Sequence, residues 1–286
     1  MGGHGPFRGL EAPLALRASL DGPHAFRKHG RRTLAEVTQR PRAVLLDLDD
    51  TILDDTGTVS SCWLDACREH GAKMGTLAPV QVYEAIERVR EWYWADSERH
   101  RVGRLDLAAA RRDVAYIALK DVGLDDAALA QQIGDTYHAL RDTGLRPIED
   151  AIDTVAWLRS GGYRLALLTN GSAGMQRKKI DRFGLADLFD VVLIEGEVGF
   201  GKPDPRMYTR ALDALDVASR DAWMVGDNLE WDVAQPQRQG IYGIWVDARG
   251  AGMPPGHPVQ PDRIIRRLAE LRSIILMTSV VLASER

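Results

Sequence analysis

The sequence predicts an α/β fold: a doubly wound, mostly parallel sheet interrupted by an all-helical insertion. Three observations predict it. Short apolar runs ending in polar residues recur along the chain, segments with helical spacing lie between them, and residues 57–143 carry helical spacing with no convincing strand.

The first run, Ala43-Val44-Leu45-Leu46, follows Arg42 and ends in acidic residues, the pattern of a strand buried on both faces. Arg164 to Leu168 ends at Thr169-Asn170-Gly171, and Val191 to Ile194 ends at Glu195. Ala222 to Val225 ends at Gly226-Asp227-Asn228, and Ile241 to Val246 ends at Asp247. Helical segments are expected over Asp150–Ser160, stopped by Gly161-Gly162, and over Gly174–Phe183, stopped by Gly184. Another runs from Pro205 to Leu215 with proline in its first turn. Glu230–Gln239 is expected to be helical but distorted or shortened by Pro236, and Pro261–Leu271 reads as a last amphipathic helix. Alternation of this kind implies right-handed crossovers and a Rossmann-like sheet whose ligands bind beyond the C-terminal strand ends.

The insertion shows three helical patterns: Val80–Trp94, Leu107–Leu119 and Ala127–Leu140. The expected organisation is an α/β core over 41–56 and 144–275, a helical block over 57–143, and a tail over 276–286. The tail is apolar enough to dock on the core or a partner, or it is a frayed terminus. Residues 1–40 read as an N-terminal extension rich in glycine and proline. Its basic cluster Arg27, Lys28, Arg31 and Arg32 is either an arm for an anionic partner or part of a disordered leader.

Among the 286 residues, 45% are apolar and 27% charged, with a formal charge of −4. A packed core is expected, and no field strong enough to imply nucleic acid or membrane partners. Cys62 and Cys67 are the only cysteines. On a helix they lie about 140° apart, so they read as reduced packing residues in the cytoplasm. No apolar run reaches the length of a membrane span or a secretory signal.

The polar residues collect at strand ends. Asp47-Leu48-Asp49-Asp50-Thr51 follows the first strand, and if the strand continues, Asp47 and Asp49 face one side. Such a pair needs a nearby cation, for which Mg²⁺ with its oxygen ligands is suited; otherwise it is an acidic turn. With a cation, one carboxylate can act as nucleophile and the other handle a proton. Thr169-Asn170-Gly171-Ser172 offers a hydroxyl and helix N-terminal donors to a phosphate, or simply caps a helix. Lys202, in Gly201-Lys202-Pro203-Asp204-Pro205, is positioned to neutralise a phosphate and the acids, or is a surface lysine. Asp227 and Asp232 lie five apart across a turn into a helix, where both can reach a cation, Asp232 through water.

Taken in order, Asp47-x-Asp49-x-Thr51, Thr169, Lys202 and Gly226-Asp227-x-x-x-x-Asp232 resemble the four motifs of the haloacid dehalogenase-like superfamily, over about residues 42–275. The resemblance implies that Asp47 is the nucleophile forming an aspartyl-phosphate and that Asp49 is the acid and then the base. Thr169, Asn170 and Lys202 would bind the substrate phosphate. Mg²⁺ would be held by Asp47, Asp49 through its main-chain carbonyl, and Asp227, with Asp232 in support. The block over 57–143 resembles the family's helical cap, in which Trp92, Tyr93, Trp94, Arg99, His100, Arg101 and Arg104 are candidate substrate contacts. Asp49 argues for phosphate chemistry over dehalogenation. The expected partner is a small phosphorylated metabolite, with oligomeric state open. The expected activity is phosphomonoester hydrolysis; a phosphosugar mutase or a non-catalytic binding protein of the same fold are the alternatives.

Overall fold

A computed structural model describes residues 40–284, with side chains as far as Thr278. The extension expected over residues 1–40, with its basic cluster, lies outside the described residues apart from Arg40.

β1 (Ala43–Leu46) is buried along its whole length because it is central. It pairs in parallel with β4 (Arg164–Thr169) on one side and β6 (Ala222–Gly226) on the other. Strand alternation sends Val44 and Leu46 into one apolar cluster and Ala43 and Leu45 into another, so both sheet faces are covered. With β5 (Val191–Ile194), β7 (Tyr242–Val246) and β8 (Arg263–Ile265), the parallel sheet has the order β5-β4-β1-β6-β7-β8. The chain winds outward in both directions from β1, so the loops after β1, β4 and β6 diverge and leave a crevice at their C-terminal ends.

Helices fill both layers. α6 (Ala151–Ser160), α7 (Ala173–Arg182) and α11 (Glu270–Ser284) add Val155, Leu158, Ile180, Leu271 and Ile275 to the cluster of Val44 and Leu46. α9 (Pro205–Leu215) places Met207, Tyr208, Ala211 and Leu215 against Ala43 and Leu45 on the opposite face. The short α8 (Glu195–Val198) follows β5 directly.

Between β1 and β4 the chain leaves the sheet along β2 (Leu53–Asp54) and returns along β3 (Arg146–Pro147), an antiparallel pair. The segment between them is helical: α1 (Val59–Glu69), α2 (Pro79–Ala95), α3 (Ser97–Gly103), α4 (Leu107–Asp121) and α5 (Ala127–Gly144). Asp96, Asp106 and Asp126 start α3, α4 and α5 by accepting the N–H three residues on, at 2.8, 3.1 and 2.9 Å. The segment has its own apolar cluster, including Val82, Ile86, Val114, Leu119 and Ile133. Trp63 stacks on Tyr137 at 3.7 Å in this cluster, and Cys62 and Cys67 are buried free thiols within it.

Two segments differ from the sequence expectation. Pro261–Leu271 is not a helix: Arg263–Ile265 joins the sheet as its edge strand, and α11 begins only at Glu270. Ladder pairing with β7, together with Asp262 accepting the Gly243 N–H at 2.8 Å, outweighs the helical spacing. α11 then continues past residue 275, and its buried Leu271 and Ile275 dock it on the core. Glu230–Gln239 is split into a π-helical turn, Leu229–Ala234, and α10 (Gln235–Arg238), in which Pro236 lies in the first turn, where no intrahelical donor is lost. Among the described residues, no helix is long and apolar enough to cross a membrane.

Candidate active site

Asp47 is the first residue beyond β1, and its N–H donates to the Val225 carbonyl at 3.0 Å. Its Oδ1 accepts from Lys202 Nζ at 2.7 Å, and the same ammonium donates to Asp232 Oδ1 at 2.7 Å. Lys202 is 1% exposed. Burial works against its charge, but Asp232 and Asp47 more than compensate and push its pKa up. Asp232 also accepts from the Asn228 N–H through Oδ2 at 3.0 Å. Glycine is required under this carboxylate, since a Cβ on Gly226 would fall 2.3 Å from it.

Asp227, just past β6, completes the cluster. Oxygens of Asp47, Asp227 and Asp232 lie within 4.8 Å of one another. Burial, reinforced by Asp47, Asp232 and Asp50, pushes the Asp227 carboxyl up to about 9. Burial likewise raises Asp47 to about 6 against the pull of Lys202. Three crowded carboxylates face one ammonium, and among the described residues the Asp227 carboxylate accepts no hydrogen bond. An all-oxygen, anionic set two positive charges short of balance when fully ionised fits a hard divalent cation such as Mg²⁺.

Asp49 stands apart from the cluster, a correction to its expected place beside Asp47. β1 ends at Leu46, so strand alternation does not carry through residue 49. The Asp49 carboxylate accepts instead from Lys179 Nζ at 2.7 Å and Gln176 Nε2 at 2.9 Å. Burial raises its pKa against the pull of Lys179. Gln176 donates to Thr169 Oγ1 as well, tying the buried threonine at the end of β4 to Asp49. Both side-chain atoms of Asn170 are taken by the Lys202 main chain: its Nδ2 donates to the carbonyl and its Oδ1 accepts the N–H, each at 2.7 Å. Asn170 therefore fixes the Lys202 loop through its side chain while also lining the cavity.

Asp47, Asp49, Thr169, Asn170, Lys202 and Asp227 line one cavity of about 240 Å³. Of the candidates from the helical segment, His100 and Arg104 reach it, joined by Leu107. Arg99 is folded onto Trp92, its guanidinium 3.9 Å from the ring centre, and donates to the carbonyls of Trp92 and Tyr93. Arg101 pairs with Glu98 at the surface, and Trp94 packs edge-on to His100.

Four contributors carry no motif: Gln176 and Lys179 on α7, Glu195 at the start of α8, and Asp55 beyond β2. The spacing of 176 and 179 puts both on one helix face, and Glu195 sits where strand ends gather polar groups. Lys179 also donates to Asp55 at 3.1 Å, and Asp55 pairs with Arg141 of α5 at 2.9 Å. Glu195 accepts from Arg104 through both oxygens, at 2.6 and 2.8 Å, and from the Gly171 N–H at 2.9 Å.

Comparison with known proteins gives the class. A family profile described as hydrolase, haloacid dehalogenase-like hydrolase, matches residues 41–235. A phosphoserine phosphatase of Thermus thermophilus is 36% identical over 253 residues, 82% of this chain and 98% of its own. A glyceraldehyde 3-phosphate phosphatase of Methanopyrus kandleri is 29% identical over 209 residues, 72% of this chain and 83% of its own. Among solved structures, the HAD-hydrolase YfnB of Bacillus subtilis bound to magnesium aligns with a TM-score of 0.65 at 22% identity, covering 83% of this chain and 99% of that one.

The chain belongs to the haloacid dehalogenase-like hydrolases. Within that family it is a phosphoric monoester hydrolase, the first of the three activities that the motifs left open.

Proposed function

We propose that the protein hydrolyses a small phosphomonoester in a Mg²⁺-dependent reaction through a phosphoryl group carried on Asp47. The observation behind it is the convergence of Asp47, Asp227, Asp232 and Lys202 from two strand ends, one helical turn and one loop. Asp47, Asp227 and Asp232, with the Asp49 main-chain carbonyl, would hold Mg²⁺, which when bound supplies charge neutralisation for the phosphoryl oxygens.

Lys202 holds Asp47 through Oδ1, while Oδ2 accepts only a 3.5 Å contact from Thr51 and is the more available oxygen. In the first step an Asp47 oxygen bonds to phosphorus, the bond to the ester oxygen breaks, and Asp49 gives that oxygen a proton. In the second step Asp49 takes a proton from water, the water oxygen bonds to phosphorus, and the bond to Asp47 breaks, restoring the Asp47 carboxylate and the protonated Asp49. Thr169 and Lys202 orient the phosphoryl oxygens, and Asn170 keeps Lys202 in place. We read residues 57–143 as a cap whose His100 and Arg104 wall the cavity, shielding the reaction from water. A cavity of about 240 Å³ suits a metabolite-sized ester, the scale of phosphoserine and glyceraldehyde 3-phosphate named for the relatives.

The test is phosphate release from p-nitrophenyl phosphate with Mg²⁺ and with chelator, in the wild type and Asp47→Asn. Turnover is expected only in the wild type with Mg²⁺; equal rates in the two proteins would remove Asp47 as nucleophile.

A further inference from the structure

We infer that Arg104, clamped by Glu195, is a specificity-determining residue that binds a carboxylate on the substrate, so that the preferred esters are small phosphomonoesters carrying a carboxylate close to the phosphate. This rests on the proposed hydrolysis at Asp47 and adds to it which group the non-reacting end of the substrate presents.

Three cations line the cavity: Lys179, Lys202 and Arg104. Each lysine is held between two carboxylates. Arg104 is the one supplied by the helical segment, and it is bound on one edge only. Its Nε and Nη2 donate to Glu195. A guanidinium has five N–H donors, and this pairing uses two. Among the described residues, none accepts from Nη1. The free edge, Nη1 with the second hydrogen of Nη2, has the fork geometry that matches a planar carboxylate through two parallel bonds.

The group is built to stay in place. Glu195 is 5% exposed and is itself held by the Gly171 N–H, on the loop that follows Thr169. The Arg104 guanidinium lies 5.2 Å from the Trp231 ring centre, and the His100 ring centre lies 5.4 Å from the same ring centre. Burial, aided by Arg104, lowers the His100 pKa, so the imidazole beside the guanidinium is neutral at pH 7. Because Glu195 already balances the charge of Arg104, what the wall offers a ligand is directed donors rather than a diffuse positive field. That favours a carboxylate of fixed position over any anion at large. The cavity, about 240 Å³, admits such a ligand.

The experiment compares kcat/KM for two pairs of esters that differ by one carboxylate: O-phosphoserine against phosphoethanolamine, and 3-phosphoglycerate against glycerol 1-phosphate. The full-length wild type is expected to favour the carboxylate member of at least one pair by ten-fold or more. Arg104→Met is expected to shrink that ratio at least ten-fold, chiefly through KM, and Arg104→Lys, which keeps charge but loses the fork, to restore only part of it. A wild type without preference, or a ratio unchanged in Arg104→Met, overturns the inference. Because Arg104 also joins the helical segment to the core, a second readout uses the wild type alone: inhibition of p-nitrophenyl phosphate hydrolysis by 2-amino-3-phosphonopropionate against 2-aminoethylphosphonate. A Ki at least ten-fold lower for the carboxylate compound supports it, and equal values overturn it. Failure of the nucleophile assignment shows separately, as wild-type rates in Asp47→Asn, with the Ki ratio still readable.

Discussion

Lys179 donates to the carboxylate of Asp49 at 2.7 Å from a helix 130 residues further along the chain. Removing the ammonium leaves Asp49 buried with Gln176 as its remaining hydrogen-bond partner, and burial with the nearby Asp55 charge then pushes its pKa higher. Lys179→Met is expected to lower kcat/KM for an alkyl phosphate by ~10–100-fold, part of the contribution typical of a placed acid. The loss should be smaller for p-nitrophenyl phosphate, whose leaving group needs no proton. Parallel measurements on the two esters check this, and equal losses would confine Lys179 to a structural role.

Asp227 links stability to pH. Its folded-state pKa is pushed up to about 9 by burial and the neighbouring carboxylates, whereas the ordinary value is 3.8. Between those values the folded state binds the extra proton, so this contribution is fully present below about pH 3.8 and is lost as pH rises toward 9. Without Mg²⁺ the melting temperature should therefore fall from pH 5 to pH 8, and added Mg²⁺ should raise it more at pH 8 than at pH 5. Asp227→Asn should be more stable than the wild type at pH 8 without Mg²⁺ and gain little when it is added. Thermal melts of both proteins at the two pH values decide it.

Asn170→Ala removes the two 2.7 Å hydrogen bonds that fix the main chain at Lys202. The expected cost is ~1–3 kcal/mol of stability, since one N–H and one C=O lose their partner. A fall in kcat of ~10-fold or more should accompany it, because catalytic groups tolerate little misplacement. Asn170→Asp keeps the acceptor and should recover part of the stability in urea titrations.

Arg141 of α5 is paired with Asp55, which also receives Lys179. The pair joins the helical segment to the chain beside β2. For Asp55, burial raises the pKa, but Lys179 and Arg141 outweigh it and hold it below the usual range. Arg141→Met should cost ~1–3 kcal/mol, below the ~3–5 kcal/mol of a fully buried broken pair because Asp55 is partly exposed and keeps Lys179. Differential scanning calorimetry would measure it, and no change in melting would mean that Lys179 alone satisfies Asp55.

The sheet was legible where burial on both faces turned strands into unbroken apolar runs, as in β1 and β4 through β7. It was not legible at β8, an edge strand flanked by arginines whose ladder with β7 is a long-range choice. Nor was it legible at β2 and β3, whose two residues each are too few to show a period. The residues that gather around the cavity were found where they follow strands: Asp47, Thr169, Asp227. Lys179 and Gln176 were missed because their helix gives no sign in sequence of which face meets the crevice. The side-chain partners of Asp49 and Asn170 depend on loops packing against loops, which neither spacing nor propensity encodes.

The narrow chamber under α3 has a consequence for the cell as well as for the reaction. A phosphoryl group borne on a folded protein or a nucleic acid strand arrives with a bulky polymer behind it, which would have to be accommodated past the wall made by His100, Arg104 and Trp231. If hydrolysis proceeds at Asp47 as proposed, that wall would favour free intermediates over signalling marks, which phosphate release from a phosphoamino acid against a phosphoprotein would test.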